Sequence, residues 1–179
     1  MQQQRGISLL EITIIVSILG IIATVAIPNF SASDPDKLAL ATEKIAQAIR
    51  FTRNEAIRNQ TTTHFKLLAS SQTIRVYKDA TSSPNSLSYH PVSKKKYDIQ
   101  LVSDPFIAVD NISINMTPAG SGSCNNNTNI YFDKLGNTWC NGPANTFLRQ
   151  TVISISLAQL SQSITVDGFT GRVVVSSLQ

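Results

Sequence analysis

The stretch "RGISLLEITIIVSILGIIATVAIPNF", Arg5 to Phe30, decides how the rest of this chain is read. From Ile7 to Ile27 it carries a single charge, Glu11. At 1.5 Å rise per residue, a helix of ~20 residues spans the ~30 Å hydrocarbon core of a bilayer. Isoleucine and valine occupy every side of such a helix rather than one stripe, so its surroundings are lipid or other apolar helices. Glu11 is left over. A carboxylate in a membrane helix costs ~2.5–3.5 kcal/mol at the centre and less near the edge, and it calls for a partner.

Two simpler accounts leave that carboxylate unexplained. A cleavable secretory signal fits Arg5 ahead of an apolar run and the small residues Ser31, Ala32 and Ser33 behind it. The run, however, exceeds the ~7–15 residues of a usual apolar core, and Glu11 interrupts it where it should be most uniform. A plain anchor accounts for the length alone.

Gly6 followed by "ISLLE", then the apolar stretch and Pro28, resembles the class III signal of type IV prepilins and type II secretion pseudopilins. The resemblance implies that a prepilin peptidase cuts after Gly6 on the cytoplasmic face and N-methylates Ile7, a position more usually Phe or Met. Residues 1–6 are then a leader and 7–28 a transmembrane helix that later joins the filament core. Glu11 gains a partner: the carboxylate of an incoming subunit neutralises the N-terminal amine of its neighbour. In apolar surroundings such a pair interacts more strongly than on a surface and fixes axial register. A first-turn carboxylate also suits the helix dipole. The implied location is the inner membrane, single-pass, with a periplasmic C-terminal domain, and then a pilus or pseudopilus. The implied partners are the peptidase, membrane lipid, the inner-membrane assembly platform, and other minor and major pilins or pseudopilins. No cofactor is implied.

Beyond Pro28, Asp34-Pro35 suits a helix N-cap with proline in the first turn. Pro28 and Gly20 are weak points where the apolar helix should bend or melt. Residues 29–60 read as an amphipathic helix, with Leu38, Ala41, Ile45, Ala48 or Ile49, Thr52 and Ala56 recurring at steps of three and four. Lys37, Lys44, Arg50 and Arg53 fall off that face, in water. The segment "AIRFTRNEAIRNQ", Ala48 to Gln60, resembles the helix end of the minor pseudopilin H and FimT branch, with Arg53, Glu55, Ala56 and Ile57 matching in order.

After His64 the period turns to that of strands. The expected strands are 63–68, 73–78, 98–102, 107–115, 129–133, 151–157, 163–167 and 172–176, separated by loops rich in Ser, Pro, Gly and Asn. "NIYFDKLGNTWC", Asn129 to Cys140, and "SITVDGFTGRVVVSS", Ser163 to Ser177, resemble the strand, Asp, Gly turn and the closing hairpin of the same branch. The fold class is α+β: a long N-terminal helix, first transmembrane and then amphipathic, packed on antiparallel sheets, with 61–179 the β-rich globular domain. There is no internal repeat.

Two cysteines, Cys124 and Cys140, lack a CxxC or a neighbouring histidine, which argues against zinc. They are free thiols or one disulfide according to compartment, and the bridge would add about 3 kcal/mol by closing its loop. The periplasmic location that the resemblance implies makes them a disulfide.

The formal charge is +4, and loss of a leader containing Arg5 leaves +3, too mild a bias to indicate nucleic acid by itself. The branch includes DNA receptors with a basic C-terminal segment. Here Arg172 is followed by "VVVSSLQ" with no second base, and phosphate binding needs several cations acting together. Lys94, Lys95 and Lys96 in a loop, with Arg149 and Arg172, are the DNA-contact candidates of this alternative reading. Asn125, Asn126, Asn127, Asn129 and Asp133 offer calcium too little negative charge. His64 and His90 are the only histidines, and with no nucleophile, metal or phosphate motif the chain does not read as an enzyme.

Overall fold

The computed structural model describes residues 8–26, 33–124, 128–140 and 146–179. Gly6, Ile7 and Pro28 lie outside the described residues, as do Asn125 to Asn127. The chain divides into two compact units between Ala32 and Ser33.

The first unit contains α1, Leu9–Ala26. The helix runs unbroken through Gly20, contrary to the weak point expected there, because a single glycine costs about 1 kcal/mol in a helix and the flanking isoleucines and leucine keep every turn hydrogen-bonded. At 1.5 Å per residue its eighteen residues measure about 27 Å. Among the described residues no helix is long and apolar enough to cross a membrane. The expected span, 7–28, extends past both ends of α1.

The second unit opens with α2, Asp34–Asn59. Ser33, not Asp34, is the N-cap residue, in extended conformation, and its hydroxyl donates to Asp36 Oδ2 at 2.5 Å. Pro35 still occupies the first turn, and Asp34 and Asp36 place two carboxylates at the positive end of the helix dipole. The expected apolar face is the buried face: Leu38, Ala41, Ile45, Ala48, Ile49, Thr52 and Ala56 are fully enclosed. Thr42 and Thr52, buried among them, donate to the carbonyls of Leu38 and Ala48, so neither hydroxyl is left unpaired. Gln60, in left-handed conformation at φ 53°, ends the helix by donating its N–H to the Ala56 carbonyl.

Among the described residues nine strands follow: β1 Thr63–Leu68, β2 Thr73–Tyr77, β3 Asp98–Gln100, β4 Asn111–Pro118, β5 Asn129–Phe132, β6 Thr138–Cys140, β7 Thr146–Leu157, β8 Leu160–Asp167 and β9 Val173–Val175. Every pairing is antiparallel, in the order β3-β2-β1-β5-β6-β7-β8-β9, with β4 also on β7. β7 joins the two halves of this arrangement. Its first residues, Thr146 and Phe147, pair with β6, and further along it pairs with β4 and β8. The Ala119 N–H after β4 donates to the Phe147 carbonyl, and the Thr138 N–H of β6 donates to the Gly168 carbonyl just after β8, so β6 and β8 follow one another along one edge of β7 while β4 takes the other. Ile153 and Ile155 of β7 are fully buried, with Ile164 and Val166 of β8, and α2 lies chiefly on β8, β1 and β9. Each buried aliphatic side chain stabilises by roughly 1.5–3 kcal/mol.

The strand expected at 107–115 is displaced. Residues 104–108 form turns in which Asp104's carbonyl accepts from the N–H groups of Ile107 and Ala108, and the strand begins at Asn111. Ile107 and Val109 are nonetheless buried, so their apolar character reports the core rather than a strand. β7 starts five residues earlier than expected, at Thr146, because its first end serves a separate partner, β6.

Candidate functional site

On α1 the backbone N–H groups of Glu11 and Ile12 donate to the Ser8 carbonyl at 2.9 and 3.3 Å, placing Glu11 in the first turn. The hydroxyls of Thr13 and Ser17 donate back to the carbonyls of Leu10 and Thr13 at 2.8 and 2.7 Å. Those polar groups are satisfied within the helix, which makes Glu11 the one ionisable side chain on α1. The large apolar side chains from Leu9 to Ile22 are exposed, from 50% at Ile12 to 81% at Leu9. The carboxylate thus sits at one end of an apolar surface that goes all the way round.

In the globular unit Cys124 and Cys140 form a disulfide with Cα atoms 5.6 Å apart. It ties the loop ahead of β5 to the end of β6, and Cys140 is fully buried. The three lysines are less concerted than their adjacency in sequence implies. Lys94 takes left-handed backbone at φ 56°, and Lys96 Nζ donates to the Pro84 carbonyl at 3.2 Å. Tyr97 beside them is buried against Phe51, ring centroids 5.4 Å apart, and burial pushes its hydroxyl up to about 12. Lys94 lines one cleft with Phe51, Arg58 and Tyr89, Arg149 lines a second with Thr165, Asp167 and Phe169, and Arg172 lines a third and also a fourth that shares Thr165 and Asp167 with Arg149's. Of the DNA-contact candidates, Arg149 and Arg172 thus line adjoining clefts, and Lys94 lines a separate one.

Arg172 also joins Arg50 and Arg53, two side chains expected in water off the apolar face of α2. Arg53 is the correction. The turn after β5 and the turn after β8 meet over this part of the helix, and Arg53 lies beneath them with Nε buried. Gly136 and Gly171 adopt φ values of 85° and 63°, a region that favours glycine. A Cβ on Gly171 would stand 2.3 Å from the Gly136 carbonyl oxygen and 2.7 Å from Arg53 Cδ and Nε. Only the bare backbone leaves room for the arginine. The signal in sequence was the pair Arg50 and Arg53, three apart on one helix side, but nothing local indicates that two distant turns converge there.

Asp133 is a turn organiser. Its Oδ1 accepts from the N–H groups of Leu135 and Asn137, both at 2.9 Å, and its Oδ2 from Asn137 Nδ2 at 2.9 Å and Trp139 Nε1 at 3.3 Å. Burial pushes this carboxyl up, but the donors from Asn137, Trp139 and Leu135 outweigh burial and hold it below the usual carboxylate range. Asn129, buried, donates to the Tyr131 hydroxyl at 3.4 Å. Among the described residues no group of three metal-ligating side chains gathers. His64 is a core residue, stacked on Tyr77 with ring centroids 4.3 Å apart and 4.9 Å from Tyr131. Its Nδ1 bonds the Asp79 carbonyl at 2.8 Å, and burial lowers its tendency to protonate.

No family model and no curated protein sequence matches the chain. The solved structure of the minor pseudopilin EpsH from the type 2 secretion system of Vibrio cholerae is similar, with a TM-score of 0.50 at 8% identity, covering 79% of this chain and 98% of that one. The chain has a minor-pseudopilin fold. The type IV minor pilin FimU of Pseudomonas aeruginosa is also similar in two crystal forms, with TM-scores of 0.45 and 0.46 at 12% and 11% identity. Each covers 78% of this chain, with 88% and 93% of the FimU chain included. Within this pseudopilin fold α2 supplies the packed helix, and α1 keeps its apolar surface exposed.

Proposed function

We propose that the chain is a minor pilin or pseudopilin subunit, assembled at or near the tip of a type IV pilus or a type II secretion pseudopilus, where it aids assembly. One observation carries this reading: α1 is apolar all round and exposed, with Glu11 alone in its first turn, on a chain of pseudopilin fold. The peptidase cuts after Gly6 and methylates Ile7, and the segment 7–28 holds the subunit in the inner membrane with residues 61–179 in the periplasm. The Cys124–Cys140 bridge is consistent with an oxidising compartment. Assembly moves α1 from lipid into a bundle of similar helices, where Glu11 pairs with a neighbour's terminal amine and Pro28 marks the end of the apolar segment. The role is mechanical and requires no turnover.

N-terminal sequencing of membrane-extracted protein tests the processing step. A start at N-methylated Ile7 is expected, and a start near Asp34 or an intact Met1 overturns it. Glu11→Ala is expected to be cleaved and inserted yet fail to enter filaments. Normal incorporation of that variant would remove the pairing role.

A further inference from the structure

Arg50, Arg53 and Arg172 line one cleft of about 450 Å³, together with Asn54, Thr170 and Val173, and no acidic residue lines it. Glu43 engages Arg50 from one side, Oε1 to Nη1 at 2.8 Å. Asp167 faces Arg172 electrostatically, but its Oδ1 is taken by the Thr170 N–H and hydroxyl at 2.8 and 2.7 Å. Arg53 has no hydrogen bond or ion pair among the described residues, and its Nε is buried beneath Gly136 and Gly171. Three cations against two partly engaged acids leave the cleft positive and one guanidinium without a counter-charge.

We infer that this cleft docks a single acidic side chain, Glu or Asp, of a partner polypeptide. A planar guanidinium fork matches a carboxylate in two parallel hydrogen bonds, and Arg53, whose Nε is held buried, loses less freedom on making them. Val173 and the aliphatic stems of the arginines form walls suited to the methylenes that carry such a carboxylate. An extended polyanion fits less well. A nucleic-acid strand needs cations in a line, whereas here Glu43 and Asp167 flank the cleft and would repel the neighbouring phosphates. The hairpin turn between β8 and β9 is the recognition element, held closed by the Asp167 N–H to the Arg172 carbonyl and the Gly171 N–H to the Asp167 carbonyl, each 2.9 Å.

The test is a titration of the full-length chain in detergent micelles, following backbone amides by NMR, with N-acetyl-glutamic acid amide as probe. Saturable shifts at Thr170, Gly171 and Arg172 are expected, absent with the glutamine analogue. Arg172→Gln, at an exposed position, should weaken the probe about tenfold, the loss of one hydrogen bond to a charged group. Arg53→Gln is read only if its thermal unfolding matches that of the parent chain. The inference is overturned by no saturable shift, by equal shifts from the glutamine analogue, or by an unchanged affinity in Arg172→Gln. It is equally overturned if inorganic phosphate or a short DNA duplex moves the same amides at lower concentration than the carboxylate. None of these readouts depends on cleavage at Gly6 or on Glu11.

Discussion

α1 and α2 are both regular helices from the same end of the chain, yet they solve opposite problems. α2 is amphipathic, with one enclosed stripe from Leu38 to Ala56 and charges elsewhere, and its stability comes from the sheet beneath it. α1 has no such stripe, and its large apolar side chains are exposed from Leu9 to Ile22. Intrinsic propensity favours α2, rich in Ala, Lys, Arg and Glu, over the Ile-, Val- and Thr-rich α1. The larger difference is in surface: α2 buries one stripe within a folded unit, and α1 offers apolar side chains on every side.

The sharpest way to break that comparison is to truncate one isoleucine in each helix. Ile45→Ala should lower stability by about 2–5 kcal/mol in denaturant unfolding followed by Trp139 fluorescence, since the side chain is fully enclosed. Opening the Cys124–Cys140 bridge, by reductant or by Cys140→Ser, should cost about 3 kcal/mol in the same assay. α1 helicity in micelles, followed by NMR, should not change. A weaker effect is expected from acid. Burial holds His64 below its ordinary value of 6.5, assisted by Lys66 and opposed by the bond to the Asp79 carbonyl and by the Asp79 charge. The unfolded chain therefore takes up a proton near 6.5 while the folded one does not. The associated stability is full above that value and is lost as pH falls toward the folded one. Unfolding midpoints between about pH 7.5 and 5 should decline, and the decline should flatten in His64→Phe; Asp133, held below the usual carboxylate range, does not contribute there. The smallest effect belongs to α1: Ile15→Ala should change the stability of the globular unit by no more than about 0.5 kcal/mol. A loss there as large as that of Ile45→Ala would erase the distinction between the helices.

What was legible in sequence was what is local. The period of α2 named its buried face, and Thr63 to Leu68 was readable as a strand because the helical period stops before it and a Ser-containing turn follows it. Ile107 and Val109 misled because burial does not require a strand, and β6 passed unread because three residues carry too little pattern. The double use of β7 was invisible, since it arises from which distant segments share an edge. The candidate sites divide the same way. Glu11 stands out against an apolar background, and two cysteines can make one pair. Arg53 reads as one more surface charge until Gly136 and Gly171 close over it.

The separation in sequence between α2 and the strands β8 and β9 also sets an order of events. α2 precedes the strands it chiefly rests on, and strands β1 to β7 lie between it and β8. A chain delivered N-terminus first must hold that apolar stripe partly uncovered until β8 and β9 have arrived, with β7 still waiting for its later partner. The interval is one of exposure to proteases and to other unfinished chains. A fold so arranged gains from a holding factor, and its abundance in the cell should respond to the supply of that factor as much as to its equilibrium stability.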